Sequence, residues 1–513
     1  MSLTSPRRND IKRIIDALAR QAIELQQQRG LLIRLIQADP SYVEDVLRHP
    51  HGMQYILQAD SARYQYTDSV NNLILKVQRI EASLARIKEK TTELLLLIPP
   101  IECLPVEILS LIFQAGSLSE PKGALPFPML IASVSRRWRN VAISTPTLWT
   151  NLHIAPLRPY RWPHLALERS RNHPLDVSLD FCSKSAPSSA AVIASMSIVF
   201  PHRDRWRRFS LIAHHRNVVL IVGEMLADAR SYSLRYLRLS LTGSGPAGNQ
   251  EVAIPRLLDG GAPALSSVRF DSVALPWRKP PLVGLSALDI RWLWSRKLAF
   301  PQFQDLLAAS PTLTRLVLRG KHVDLRASGD YTPIALPHLR DLEVSGDNVC
   351  LMCSLLVPPV LETLTLANVD QSEFREFMEW LPVSGARYSA LTSLVLLNVA
   401  MSPLTRGFIS AFATITKLVI INSGADRFLE LLRPKQPVNN ANPDGLAWPR
   451  LKDVTLLDDT SYDKLHAMVT ERAAHGLPLQ RLIVHTEFIH RNLLGPLTRY
   501  VKIDSITHLD REP

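Results

Sequence analysis

Four features of the sequence carry residue types that could do chemistry. The run GSGPAG sets Gly243, Gly245 and Gly248 at the G-x-G-x-x-G spacing with which a strand-to-helix turn holds a dinucleotide pyrophosphate. CLMC sets Cys350 and Cys353 at the spacing of half a zinc site. Asp458 and Asp459 are adjacent carboxylates, and fifteen histidines are available as bases or ligands. The glycine run has no convincing acidic position about twenty residues on to hold a ribose, so it reads as a turn. The cysteine pair has no second Cys or His pair at zinc distance and reads as two small residues of a helical core. The aspartates sit beside a turn, where solvated carboxylates are routine, and the histidines form no cluster. No catalytic, cofactor-binding or metal-ligating residue is assigned, and the chain reads as a non-enzyme without a cofactor.

Binding chemistry has more candidates. The formal charge is +12, and two stretches interleave arginine with aromatic residues: Leu157 to Pro174, with Tyr160 and Trp162, and His202 to Phe209, with Trp206. Such interleaving can join phosphate contacts to base stacking. It is equally the pattern of arginines flanking half-buried aromatics on a solvated face.

Composition sets the frame for these residues. A chain of 513 residues, 46% hydrophobic and 21% charged, is that of a folded multidomain protein. Charges interrupt the first twenty residues where a secretory signal needs an unbroken apolar stretch, and the weakly polar run from Ser185 is too short to span a bilayer. Four cysteines do not make a disulfide framework. The expected setting is intracellular, cytoplasmic or nuclear, away from membranes.

The elements that must position these residues begin with helices. Val70, Leu73, Val77, Ile80, Leu84, Ile87 and Leu94 alternate spacings of three and four, an a/d seam broken only at Thr91. Ile11, Ile14, Leu18, Ala22 and Leu25 form a second stripe. The seam fits an intramolecular hairpin and self-association with another chain equally well. Pro99 and Pro100 end it. In IECLPVEILSLIF, Pro105 and Glu107 suit a first helical turn, and Ile108, Leu109, Ile112 and Phe113 make a broad apolar face. A second helix is expected over MLIASVSRRWRNVAIST, with Leu130, Val134, Trp138, Val141 and Ala142 on one face. A segment of this size buries only roughly 60% of its surface on folding, so apolar area is left over for another protein or for packing onto the neighbouring domains.

LPVEILSLIF followed by VSRRWRNVAISTPTLW resembles the F-box, most closely the F-box proteins expanded in fungi. In that family the domain docks the Skp-type adaptor of a cullin-RING (SCF) ubiquitin ligase. The resemblance implies that Leu104, Pro105, Ile108, Leu109, Ile112, Val134 and Trp138 make or support that contact. Ser135 stands where the family often has cysteine, and the loop between the helices is longer than in the shortest F-boxes.

The rest of the chain repeats L-x-x-L-x-L, with Val, Ile or Phe substituting, from Leu234, Leu265, Leu285, Leu313, Leu339, Leu361, Leu391, Ile415, Leu451 and Leu479, with an eleventh candidate at Trp206. The intervals run from 20 to 36 residues, more irregular than leucine-rich repeats. Helical stretches lie between them. Strand, turn and helix repeated in this way predict an irregular leucine-rich-repeat-like α/β solenoid with a parallel sheet. Val273, Val369 and Val399 occupy the position of the family's asparagine, so no regular asparagine ladder is expected.

The expected organisation is a helical or coiled-coil segment over 1–97, an F-box-like domain over 98–152, a connection over 153–200 and the solenoid over 201–513. The early repeats would place Arg208, Arg238, Arg269, Arg291, Arg315 and Arg319 on the concave face, and the later ones Val395, Leu397, Val419, Ile421 and Ile483. Such a face could hold an acidic or phosphorylated segment beside an apolar anchor. The expected function is substrate recognition for an SCF-type ligase. The alternatives are a repeat scaffold outside ubiquitin chemistry and a nucleic-acid-binding protein.

Overall fold

The computed structural model describes residues 5–37, 64–96, 101, 104–117, 126–155, 161–183, 185–242, 251–275, 282–291, 297–320, 323–325, 331–346, 348–384, 388–401, 404–434, 447–457, 460–491 and 494–506. Gly243 to Gly248, Asp458, Asp459 and Tyr160 lie outside them. The chain is mixed α/β and divides into two compact units, Met1–Ser144 and Thr145–Pro513.

The first unit is helical. α1 (Ser5–Gln37) packs beside α2 (Tyr64–Leu96), so the pairing left open by the heptads is made within one chain, and Arg29 reaches Glu81 at 3.0 Å across it. Three short helices follow: α3 (Val106–Ser117), α4 (Phe127–Val134) and α5 (Arg136–Ser144). The single helix expected from Met129 to Thr145 is therefore two. Ser135 is extended (φ −154°, ψ 164°), its hydroxyl accepts from the Trp138 N–H at 3.2 Å, and its carbonyl accepts from the Arg139 N–H at 2.9 Å. Serine can satisfy the open N–H groups of a new helix, and here it starts one. The break gives α4 and α5 separate faces.

The second unit is built on one parallel sheet, fourteen-stranded among the described residues, in which each strand pairs with the next along the chain. The strands are β1 (Asn151–Ile154), β2 (Leu175–Phe181), β3 (Trp206–Ala213), β4 (Tyr236–Leu241), β5 (Ser267–Asp271), β6 (Ala287–Arg291) and β7 (Arg315–Arg319). Then come β8 (Asp341–Ser345), β9 (Thr363–Val369), β10 (Ser393–Val399), β11 (Lys417–Ile421), β12 (Asp453–Leu456), β13 (Arg481–His485) and β14 (Lys502–Ile506). Every repeat found in the sequence, Trp206 included, forms one of these strands. β1, β2 and β14 were not foreseen, and the segment 153–200, expected as a connection, supplies β2 to the same sheet. The sheet thus begins at Asn151.

The three apolar residues of each repeat form the core. In the repeat of β9, Leu361, Leu364 and Leu366 are all 0% exposed, as are Leu391, Leu394 and Leu396 in that of β10. Burying each such side chain contributes roughly 1.5–3 kcal/mol. The crossover helices supply matching residues, and an aromatic row runs through them: Phe374 lies 5.7 Å from Phe408, Phe408 lies 6.2 Å from Phe428, and Phe428 lies 5.2 Å from Trp448. Cys350 and Cys353 sit on one of these helices, Val349–Leu355, where burial pushes their thiols up to about 11 and about 12. Such thiols stay protonated and take part as small core groups. Arg472 is wholly buried in the helix Tyr462–Ala474, and its guanidinium donates to the carbonyls of Leu432, Ala447 and Trp448 at 3.4, 2.7 and 2.8 Å.

The residues ending the strands repeat a left-handed conformation at Ser272, Gly320, Gly346, Asn368, Asn398 and Asn422, one position before the valines at which an asparagine was sought. Asn398 donates to the Asn368 side-chain oxygen at 2.9 Å, and Asn368 to the Ser345 hydroxyl at 3.2 Å. A short amide ladder therefore exists, at the position where the backbone favours glycine or asparagine. Replacing Asn398 by alanine should cost about 1–2 kcal/mol in denaturant unfolding from the positive φ alone, whereas Asn398→Gly loses only the amide bond and should cost less.

Candidate protein-docking surfaces

The first surface is on the helical unit. Pro105 starts α3, its carbonyl accepting from the Leu109 N–H at 3.0 Å. Leu109 and Phe113, one turn apart, point inward and are 0% and 2% exposed. Phe113 packs on Trp138 of α5, ring centres 4.9 Å apart. Arg137 caps the Leu104 carbonyl, and Arg139 donates to the Ala132 carbonyl at 2.9 Å, fastening α5 to the other two helices. With one face of each helix so used, the opposite faces stay in solvent: Val106, Ile108, Leu111 and Ile112 on α3, and Met129, Leu130 and Val134 on the adjoining α4, are between 40% and 59% exposed.

The residues anticipated here divide accordingly. Pro105, Ile108, Ile112 and Val134 are on the exposed surface, Leu104 and Trp138 are half-buried, and Leu109 is core. Val106, Leu111 and Met129 were missed, and Leu130, expected on one face with Val134, Trp138, Val141 and Ala142, is exposed beside Val134 while Val141 and Ala142 are buried. Helical spacing separates the two sides of α3, but only the break at Ser135 reveals which side of α4 is open.

The second surface is the face of the sheet opposite the leucines. Parallel in-register pairing puts Ser210, Arg238, Arg269, Asp289, Val317, Glu343, Thr365, Val395, Val419, Thr455 and Ile483 in one row across it. Two residues on, a parallel row holds Ser240, Asp271, Arg291, Arg319, Ser345, Ala367, Leu397 and Ile421. The five arginines singled out from β4 to β7 do share this face, but they do not make an open cationic surface. The Asp271 carboxylate accepts from the Ser240 hydroxyl at 2.7 Å and from Arg269 at 3.1 Å, with Arg238 at 3.7 Å and Arg291 at 3.8 Å. Asp289 takes both of its oxygens to Arg291, at 2.7 and 2.8 Å. Arg315 lies 3.4 Å from Asp341, and Arg319 pairs with Glu343. Burial pushes the Asp289 carboxyl above the usual carboxylate range, against the pull of Arg291 and Arg269.

The chain's own carboxylates therefore hold the arginines that were expected to meet an acidic target, and Arg269 and Arg291 are only 9% and 5% exposed. Sequence spacing identified the face, but carboxylates of the same or the neighbouring strand supply the partners. From β9 to β13 these two rows are uncharged, and Val395, Leu397, Val419, Ile421 and Ile483 are half-buried. The exposed amides of Asn368, Asn398 and Asn422 border them.

The arginine-aromatic stretches are also internally engaged. Trp206 is 1% exposed and stacks on Phe209 at 4.6 Å; Arg207 forms a paired bond to Asp176, and Arg208 lies over the Tyr236 ring. Trp162 packs on Trp149, over which Arg169 also sits. One cluster escaped sequence reasoning: Cys182, Thr242 and His214 come together at the ends of β2, β4 and β3. The Thr242 hydroxyl lies 3.6 Å from the Cys182 sulfur and 2.6 Å from His214 Nδ1, and also 3.2 Å from the Ala213 carbonyl. These contacts tie neighbouring strand ends together. No group of three or more His, Cys, Asp or Glu among the described residues could hold a metal, and no described helix is long and apolar enough to cross a membrane.

Asp271→Ala removes the carboxylate that bonds Arg269 and neighbours Arg238 and Arg291, while Asp289 still holds Arg291, and should cost about 1–3 kcal/mol in denaturant unfolding. Arg315→Ala breaks a pair whose arginine is 39% exposed and should cost under about 1 kcal/mol.

Compared with known proteins, the chain matches no family model and no curated protein.

Proposed function

We propose that the chain is a substrate-recognition subunit of an SCF-type cullin-RING ubiquitin ligase. The α3–α5 unit would act as an F-box that docks a Skp-type adaptor, and the parallel-sheet unit as a leucine-rich-repeat-like solenoid that holds a target protein. The carrying observation is the solvent-exposed apolar surface of α3 and α4, including Ile108, Leu111, Ile112, Leu130 and Val134, on helices whose inward faces are already satisfied by Leu109, Phe113 and Trp138. A soluble unit that keeps such a surface open has a use for it in another protein. The resemblance of LPVEILSLIF and VSRRWRNVAISTPTLW to the F-box names the partner. Regular strand and crossover units support the solenoid reading. Its contribution would be proximity, holding a target where a separate catalytic module can modify it.

The test is a pull-down of purified Skp-type adaptor on the full chain. Wild type should retain the adaptor. Leu111→Asp and Ile112→Asp, both at exposed positions, should each weaken it by at least about tenfold, while Ile193→Asp, an exposed apolar position of the sheet unit, should not. Failure of the wild type to bind, or equal binding by all four proteins, overturns the reading.

A further inference from the structure

We propose that Cys182 is a modification site, a thiol that hands its proton through the Thr242 hydroxyl to His214 and then takes up a soft electrophile. This inference is independent of the adaptor reading and begins with the register of the sheet. Asp180, Ile212 and Ser240 stand side by side on the open face of β2, β3 and β4. Two residues further along each strand come Cys182, His214 and Thr242. The parallel ladder reaches that far, since the His214 N–H donates to the Phe181 carbonyl at 3.3 Å and the Thr242 N–H to the Ala213 carbonyl at 2.7 Å. Side chains alternate along a strand, so all three fall on the face opposite the leucines, where each is half-buried.

Their contacts form a chain with the hydroxyl in the middle. Thr242 Oγ1 stands 3.6 Å from Cys182 Sγ and 2.6 Å from His214 Nδ1. A hydroxyl both accepts and donates, and a neutral imidazole accepts at one nitrogen. The thiol donates to Thr242 while Thr242 donates to His214. Moving both protons one step along breaks the S–H bond, forms an N–H bond at Nδ1 and regenerates the hydroxyl. The thiolate then accepts from Thr242, and the imidazolium donates to it.

The surroundings bear on this balance from both sides. The Thr242 carbonyl lies 3.4 Å from Nδ1 and can only accept, which favours a proton on that nitrogen. The Ala213 carbonyl, 3.2 Å from Thr242 Oγ1, competes for the hydroxyl proton. Two further titratable side chains stand at these strand ends: an Asp180 carboxylate oxygen accepts from the Cys182 N–H at 3.0 Å, and His215 Nε2 lies 3.2 Å from the Ser183 carbonyl. The Asp180 charge opposes a thiolate, so the charge taken up by His214 decides the outcome. The thiolate is the nucleophile of cysteine chemistry. With iodoacetamide as the probe, an S–C bond forms as the C–I bond breaks, iodide leaves, and the thiol proton stays on His214.

Alkylation of the folded full chain by iodoacetamide, read cysteine by cysteine by peptide mass spectrometry, tests this. An ordinary thiol gains roughly 25-fold in rate between pH 7 and pH 9 as its thiolate forms, whereas Cys182 should gain less than about fivefold. His214→Gln and Thr242→Val should each restore the steep rise and slow the reaction at pH 7 by about tenfold, and Thr242→Ser should keep the wild-type profile. Contacts that only tie the strand ends would, once cut, free Cys182 and speed its alkylation at every pH. Cys350 and Cys353, which burial keeps protonated, should stay unmodified and so report that each variant is folded. An ordinary steep rise in the wild type overturns the proposal. So does a pH profile that either His214→Gln or Thr242→Val leaves unchanged.

Discussion

In-register parallel pairing is the constraint on which the sheet unit depends. When each strand pairs with the next at the same repeat position, every side chain is flanked by its counterparts in the units before and after. For the leucines this is favourable without qualification, because apolar rows stack and exclude water. For charged positions it threatens to set like beside like, which destabilises a sheet. Arg238 does stand beside Arg269, and Arg291 beside Arg319. The repulsion is offset because Asp271 and Asp289 occupy the alternate corners, so that each guanidinium reaches a carboxylate in its own strand or the next. The ion lattice is thus a consequence of the pairing geometry and a condition for it.

The same constraint divides the open face by chemistry. Where aspartate and arginine alternate, charge is consumed within the molecule and little is left for a partner. Where the rows turn to valine, leucine, isoleucine and threonine, no internal neutralisation is needed, and the valines, leucine and isoleucines stay half-buried beside a row of amides. The helical unit follows a related logic on a smaller scale. Three short helices pack around Leu109, Phe113 and Trp138, and the opposite faces of α3 and α4 stay exposed among the described residues.

Much of this was legible in the residues. The six-residue spacing located eleven of the fourteen strands of the parallel sheet, because a buried apolar residue at three fixed places recurs in each of those units. β1, β2 and β14 escaped because they lack the leading leucine; β2 shows the alternation of Leu175, Val177, Leu179 and Phe181 instead. The left-handed turn was sought one residue late, since the signal there is a backbone angle that glycine, asparagine and serine all meet at Ser272, Gly346 and Asn398. The arginines were placed on the right face but given the wrong role. Their partners are aspartates and a glutamate of the same or the neighbouring strand, and a list of positive residues leaves those out. The break at Ser135 was hidden by an apolar pattern that continues smoothly across it.

Arg472 bears on how the molecule accommodates added sequence. Its three bonds go to backbone carbonyls, at Leu432 on one side and at Ala447 and Trp448 on the other, so it fastens both ends of the intervening segment whatever side chains that segment carries. Once two ends are fixed, lengthening the chain that joins them is cheap, since each doubling of its length costs only about 0.6 kcal/mol of entropy. The clamp therefore marks a place where a tag, a reporter or a whole inserted domain could be accommodated while the strands on either side keep their register.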